Sequence, residues 1–146
     1  MQFHALSERE LIEGVLRKIK PHFGAGFVCA LEGDLGAGKT TIVRGIAKKL
    51  GVKEKVASPT FNLRKIYPLP RDIKGAEALQ HIDLYRFSSP TGFDRSEVDE
   101  WLEEKRAITF IEWPANMPQA LNRADLLIRI TPISETSRSV QIIKPK

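Results

Sequence analysis

Within the stretch LEGDLGAGKTT (residues 31–41), Gly33 is followed after four residues by Gly38-Lys39-Thr40. Glycines at this spacing let the backbone curl until successive N–H groups point inward at phosphate oxygens. A lysine next to them reaches the β- and γ-phosphates, and the adjacent hydroxyl holds a magnesium ion. A helix starting at the same place adds the positive end of its dipole to the anion site. The residue types and their order thus predict a nucleoside triphosphate site on Lys39 and Thr40.

Such a site needs carboxylates from neighbouring strand ends, one to bind the metal and one to polarise the attacking water. Two segments offer them. In LQHIDLYR, Asp83 lies inside an apolar run, where a carboxylate is costly to bury unless it is paired or faces a metal. In ITFIEWP, Glu112 stands at the exit of a similar run, and strand exits are where open α/β sheets place ligands. The competing assignments are a turn cap for Asp83 and a surface carboxylate for Glu112. His81 shares a face with Asp83 and reads as a hydrogen-bonded structural histidine. Trp113 reads as a packed aromatic or as a gate beside Glu112. Ser58-Pro59-Thr60-Phe61 is either an ordinary turn or a loop whose Ser58 or Thr60 senses the γ-phosphate.

The elements that must position these groups follow from periodicity. Phe27 to Leu31 forms a short buried strand before the loop, and Ile42, Val43, Ile46, Ala47 and Leu50 recur at helical spacing until Gly51. Upstream, Ser7 to Glu10 has a capping-box pattern, opening an amphipathic helix of Leu11, Ile12, Val15, Leu16 and Ile19 that stops before Pro21. Further strands are expected at Thr60–Tyr67, Leu79–Leu84, Ala107–Ile111, Asp125–Ile130 and Ser139–Ile143. An acidic helix is expected around Val98, Trp101 and Leu102. Tyr67 to Asp72, with two prolines, is expected to be a loop. Strands and helices alternate early and strands dominate late. The fold class is therefore α/β, a mostly parallel sheet with antiparallel additions, flanked by helices in a single domain.

Composition narrows the class. At 146 residues, 42% hydrophobic and 28% charged, the chain is of ordinary soluble globular type. No apolar run reaches membrane-span length, MQFHALSEREL lacks the shape of a signal peptide, and one cysteine excludes an internal disulfide; together these favour the cytoplasm and no membrane partner. The net charge of +5 permits an anionic partner without demanding one, since the cations are scattered.

Four motifs in this order, GDLGAGKTT, SPTF, HIDLYR and IEWP, closely resemble the TsaE family, also called YjeE. The resemblance implies a P-loop fold and an ATPase that supports threonylcarbamoyladenosine formation at position 37 of tRNA. In that family the protein binds the TsaB–TsaD heterodimer, hydrolyses ATP to sustain its turnover, and meets tRNA through that complex. Carried onto this chain, the phosphates of ATP fall to Gly33, Asp34, Gly36, Ala37, Gly38, Lys39, Thr40 and Thr41. Thr40 and Glu112 hold Mg2+, with Asp83 near the γ-phosphate as the further acidic metal-site and catalytic residue. Lys39 and Glu112 complete the catalytic set, Ser58 and Thr60 belong to a switch-like loop, and Trp113 lies at the partner-facing edge. The Tyr67–Leu79 insertion is longer than the family's short hairpin.

Two other classes use the same loop. A small-molecule kinase needs an acceptor pocket and an arginine-bearing lid, for which Arg64, Arg71 and Arg86 are the available cations. A nucleotide-dependent interaction module needs no hydrolysis. No motif selects adenine over guanine.

Overall fold

The computed structural model describes residues 1–57 and 63–145. Their order is β1 (Gln2–Ala5), α1 (Glu8–Ile19), β2 (Val28–Glu32), α2 (Lys39–Lys49), β3 (Arg64–Ile73), β4 (Ala76–Asp83), α3 (Gly92–Leu102), β5 (Ala107–Glu112), α4 (Pro118–Arg123), β6 (Leu126–Pro132) and β7 (Arg138–Ile143), with short 3-10 turns at Lys20–His22 and Pro114–Asn116.

The strands form a seven-stranded sheet in the order β1-β7-β6-β2-β5-β4-β3. Its centre is parallel: β2 lies between β5 and β6, and β4 joins β5 in the same direction. The flanks are antiparallel, with β3 on β4 and with β7 between β6 and β1. Strands covered on both faces read as unbroken apolar runs, and β2 and β5 are buried almost throughout. On one face, Leu11, Val15 and Ile19 of α1 and Ile42, Val43 and Ile46 of α2 pack on Cys29, Leu31, Phe110 and Ile128. On the other, Val98 and Leu102 of α3 and Ala120 of α4 cover Val28, Ala30, Ile82 and Ile111. No helix among the described residues is long and apolar enough to cross a membrane.

Helix ends follow local chemistry. The Ser7 hydroxyl accepts from the Glu10 N–H (3.1 Å) to open α1, as its sequence suggests. A reciprocal Thr91–Asp94 capping box opens α3.

One expectation is corrected. Tyr67 to Asp72 is not a loop but most of β3, a ten-residue strand. A proline lacks an N–H to give a ladder, which excludes it from central strands but not from an edge. β3 is that edge, and Pro68 still pairs with Ala78. The register then shifts before Ile73 meets Ala76, so Pro70 falls in the irregular stretch. Lys74 and Gly75 turn the hairpin with φ of 48° and 90°, and the Asp72 carboxylate accepts from Gly75 N–H at 2.8 Å. β1, a four-residue strand, and α4, a six-residue helix, have no counterpart in the sequence reading. The expected start of a strand at Thr60 lies outside the described residues.

Candidate functional site

The C-terminal ends of the parallel strands meet at one edge of the sheet. There β2 enters the loop of residues 33–38, which turns directly into α2. Asp83 and Glu112 are register partners at the ends of β4 and β5, and Glu112 is also opposite Leu31 of β2. Three segments far apart in sequence, Gly33–Thr41, Asp83 and Glu112–Trp113, thus converge on a crevice at the carboxyl ends of an open sheet, the usual ligand position in this class of fold.

Two glycines are required by the backbone. Gly38 stands at φ 113° as the residue before α2, a conformation costly for any residue with a Cβ. A Cβ on Gly33 would come within 2.8 Å of the Ile130 carbonyl oxygen, so the loop can pass β6 only as glycine. On its outer side the loop is held by Arg138 of β7, whose Nε donates to the Ala37 carbonyl (2.9 Å) and Nη2 to the Gly36 carbonyl (3.3 Å). No local pattern announces Arg138, because the contact spans 101 residues.

Lys39 begins α2 and is buried. Its Nζ donates to the Gly33 carbonyl and, at 2.9 Å, to the Asp34 carbonyl; it also lies 4.2 Å from the centre of the Trp113 ring. Burial lowers its pKa below the ordinary lysine value, against opposing pulls from Glu112, Asp83 and Asp34. A buried ammonium among partial charges is a site prepared for a stronger anion.

Thr40 Oγ1 lies 2.8 Å and 3.0 Å from the two oxygens of the Glu112 carboxylate and donates to it. From the sheet side, His81 Nε2 lies 2.5 Å from Glu112 Oε2. Glu112 is therefore no surface carboxylate; it is buried and shared between the loop helix and β4. Asp83 is also buried, and its Oδ1 accepts from Tyr85 N–H at 2.9 Å. The turn-capping role weighed for Asp83 is thus present together with its position at the crevice.

Trp113 leaves β5 at φ 59° and ψ 49°, a left-handed conformation rare for a bulky residue and most often kept at functional sites. Its ring packs on Tyr85 at 5.0 Å. Asn116 donates to the Leu84 carbonyl at 2.8 Å, which ties the two exit loops together. A cleft of about 360 Å3 results, lined by Leu35, Gly36, Gly38, Lys39, Thr40, Thr41, Asp83, Tyr85, Glu112 and Trp113. A second cavity of about 450 Å3 adjoins the other side of Gly36–Gly38 and reaches Ser7, Glu135, Thr136 and Arg138.

These donors fit a magnesium–nucleotide. Among the described residues no group of three or more His, Cys, Asp or Glu could cage a cation unaided. Magnesium is commonly held by one or two protein oxygens together with phosphate and water. The Thr40 hydroxyl and the Glu112 carboxylate offer hard oxygen atoms of that kind, next to the loop N–H groups.

The structure brings together Gly33, Asp34, Gly36, Ala37, Gly38, Lys39, Thr40, Thr41, Asp83, Glu112 and Trp113. Ser58 and Thr60 lie outside the described residues. Arg64 is turned away from the crevice: its Nε holds Gln80 Oε1 at 2.6 Å and its guanidinium approaches Trp101.

The comparisons give a family and a fold. The family model for "Threonylcarbamoyl adenosine biosynthesis protein TsaE" matches residues 6–140. A "tRNA threonylcarbamoyladenosine biosynthesis protein TsaE" from Nostoc sp. is 42% identical over 96 residues, which cover 64% of this chain and 56% of that protein. The chain thus spans little more than half the length of that relative. The proteins of the same description from Haemophilus influenzae and Bacillus subtilis are 30% identical over 125 residues and 36% over 118, covering 86% and 79% of this chain and 75% and 68% of theirs. Among solved structures, the "Crystal structure of Bacillus subtilus YdiB" superposes with a TM-score of 0.71 at 25% identity, over 100% of this chain and 86% of that one. The fold is that of a P-loop NTPase.

Proposed function

Because the chain belongs to the TsaE family, whose members take part in tRNA threonylcarbamoyladenosine biosynthesis, we propose that it is an ATPase that binds a TsaB–TsaD heterodimer and drives its turnover by hydrolysing ATP. tRNA is then met through that complex. The observation carrying the ATPase assignment is the Thr40 Oγ1–Glu112 hydrogen bond of 2.8 Å, which joins a strand-end carboxylate to the first turn of the loop helix.

The loop N–H groups from Gly33 to Thr41 receive the phosphate oxygens, and the Lys39 ammonium exchanges its carbonyl partners for the β- and γ-phosphates. Thr40 and Glu112 would hold Mg2+, which when bound would supply charge neutralisation on those phosphates. Asp83 accepts a hydrogen bond from the attacking water and aligns it with the γ-phosphorus. Trp113 and Tyr85 shield the cleft. Leu35 and Tyr85, exposed at its mouth, are apolar anchors suited to a protein partner. Ser58 and Thr60 respond to the γ-phosphate as a switch.

The test is phosphate release by the chain alone and with a purified TsaB–TsaD pair. Magnesium-dependent release that rises with the pair supports the proposal. No release in either condition overturns it, and a phosphorylated small-molecule acceptor would favour a kinase.

A further inference from the structure

The sequence suggests a structural role for His81, and its surroundings give it a more specific task. It is fully buried in β4, two residues before Asp83, on the face that carries α2. Its Nε2 lies 2.5 Å from Glu112 Oε2; a carboxylate only accepts, so the tautomer with its hydrogen on Nε2 satisfies this contact. The other ring nitrogen, Nδ1, is buried and has no hydrogen-bond partner among the described residues. An orphaned buried polar atom is destabilising, and an apolar side chain in this position would remove that cost. Among the described residues, the hydrogen-bond contact its ring makes is the one with Glu112.

That contact has a definite consequence. Glu112 ends its strand on a flexible side chain, and among the described residues two groups fix its carboxylate: the Thr40 hydroxyl from the loop and His81 from the sheet. Thr40 is itself assigned to the metal, so its hydroxyl cannot act as a passive brace. His81 is the remaining anchor. It holds Oε2, the oxygen that also accepts from Thr40 at 2.8 Å, from the sheet side, which fixes the plane of the carboxylate and with it Oε1, 3.0 Å from Thr40 Oγ1.

We infer that His81 is a positioning residue that orients Glu112 and thereby sets the magnesium affinity of the nucleotide site, without touching nucleotide. The inference rests on Glu112 being a metal-binding group. Partners that fix a metal ligand typically change metal affinity by about 10- to 100-fold when removed.

The experiment compares two amides of similar polarity. The side-chain N–H of His81→Gln can occupy the place of Nε2, whereas His81→Asn is too short to reach Glu112. ADP binding is measured by calorimetry in EDTA and across a magnesium titration, so the readout is independent of hydrolysis. The expected result is that His81→Asn raises the magnesium concentration for half-maximal effect by about tenfold or more. ADP affinity in EDTA stays near the wild-type value, and His81→Gln recovers most of the magnesium response. If His81→Asn melts below the assay temperature, His81→Phe, which buries no polar atom, takes its place.

Equal losses with and without magnesium would reduce His81 to a packing residue and overturn the inference, as would a wild-type magnesium response in the variant that lacks the donor. Glu112→Gln separates the two levels. If it too keeps the wild-type response, the metal site itself is wrongly assigned and the inference falls with it. If it loses the response while His81→Asn does not, only the inference falls.

Discussion

Replacing Glu112 by glutamine separates what this carboxylate does for the fold from what it does for a ligand. The residue is 3% exposed; its Oε2 accepts from both the Thr40 hydroxyl and His81 Nε2, and its Oε1 also lies 3.0 Å from Thr40 Oγ1. Glutamine keeps the shape but turns one acceptor into a donor. If its carbonyl takes the Oε2 place, it still accepts from His81 and from the Thr40 hydroxyl, and its NH2 stands at the Oε1 place, 3.0 Å from Thr40 Oγ1. Both contacts survive as neutral bonds, each weaker than a charge-assisted one by about 1 kcal/mol. Against that loss stands relief from burying a carboxylate, a penalty of several kcal/mol partly offset by its partners. The two changes oppose each other, so Glu112→Gln should alter folding stability by no more than about 1 kcal/mol. Magnesium-dependent nucleotide binding should respond far more. Removing a partner behind a metal ligand costs about 10- to 100-fold, and removing the charge of the ligand itself costs at least that, or about 1.4 to 2.7 kcal/mol. Urea denaturation and calorimetric titration of ADP with and without magnesium measure the two quantities. A variant destabilised by 3 kcal/mol or more, or one with unaltered magnesium dependence, would refute the reasoning.

Other sites give equally direct outcomes. Asp83→Asn keeps the acceptor for Tyr85 N–H and should bind nucleotide within about threefold of wild type, while partner-stimulated turnover falls about 100-fold or more, as for a lost proton-accepting group; an unchanged rate removes Asp83 from the chemistry. Burial lowers the Lys39 pKa below its unfolded value of 10.5, so the folded chain binds this proton less tightly and stability rises as pH climbs from the folded value toward the unfolded one. Compared with Lys39→Met, wild-type stability should therefore improve as pH rises toward 10.5, read by urea melts, while the variant loses tight nucleotide binding at every pH. Burial pushes the Cys29 thiol well above its usual range, so it should resist alkylation in the native protein and react only on unfolding, as followed by mass spectrometry.

The candidate site was legible wherever it is local. Gly33, Gly38, Lys39 and Thr40 announce themselves by spacing, and the apolar runs ending in Asp83 and Glu112 reveal two strand exits. Their convergence was foreseeable because parallel strands of an open sheet present their ends at one edge. What stayed hidden depends on register or on distance along the chain. The His81–Glu112 contact requires β4 and β5 to pair with Asp83 opposite Glu112, which periodicity does not specify. Arg138 reaches Ala37 only because β7 returns beside β6. The prolines of β3 imitate a loop because the sequence does not say that the strand is an edge. β1 is four residues long and gains its place by pairing with β7, near the opposite end of the sequence.

The central claim is that nucleotide state in this cleft governs engagement of a TsaB–TsaD pair. Coupling of that kind is reciprocal, so a partner that prefers the ATP-bound form must tighten ATP binding by the same factor. The most direct measurement titrates the purified pair against this protein with a non-hydrolysable ATP analogue and then with ADP, alongside the ATPase rate in each mixture. The account predicts tighter binding with the analogue and faster hydrolysis in the complex than alone. Equal affinities in the two nucleotide states, with no stimulation of hydrolysis, would contradict it.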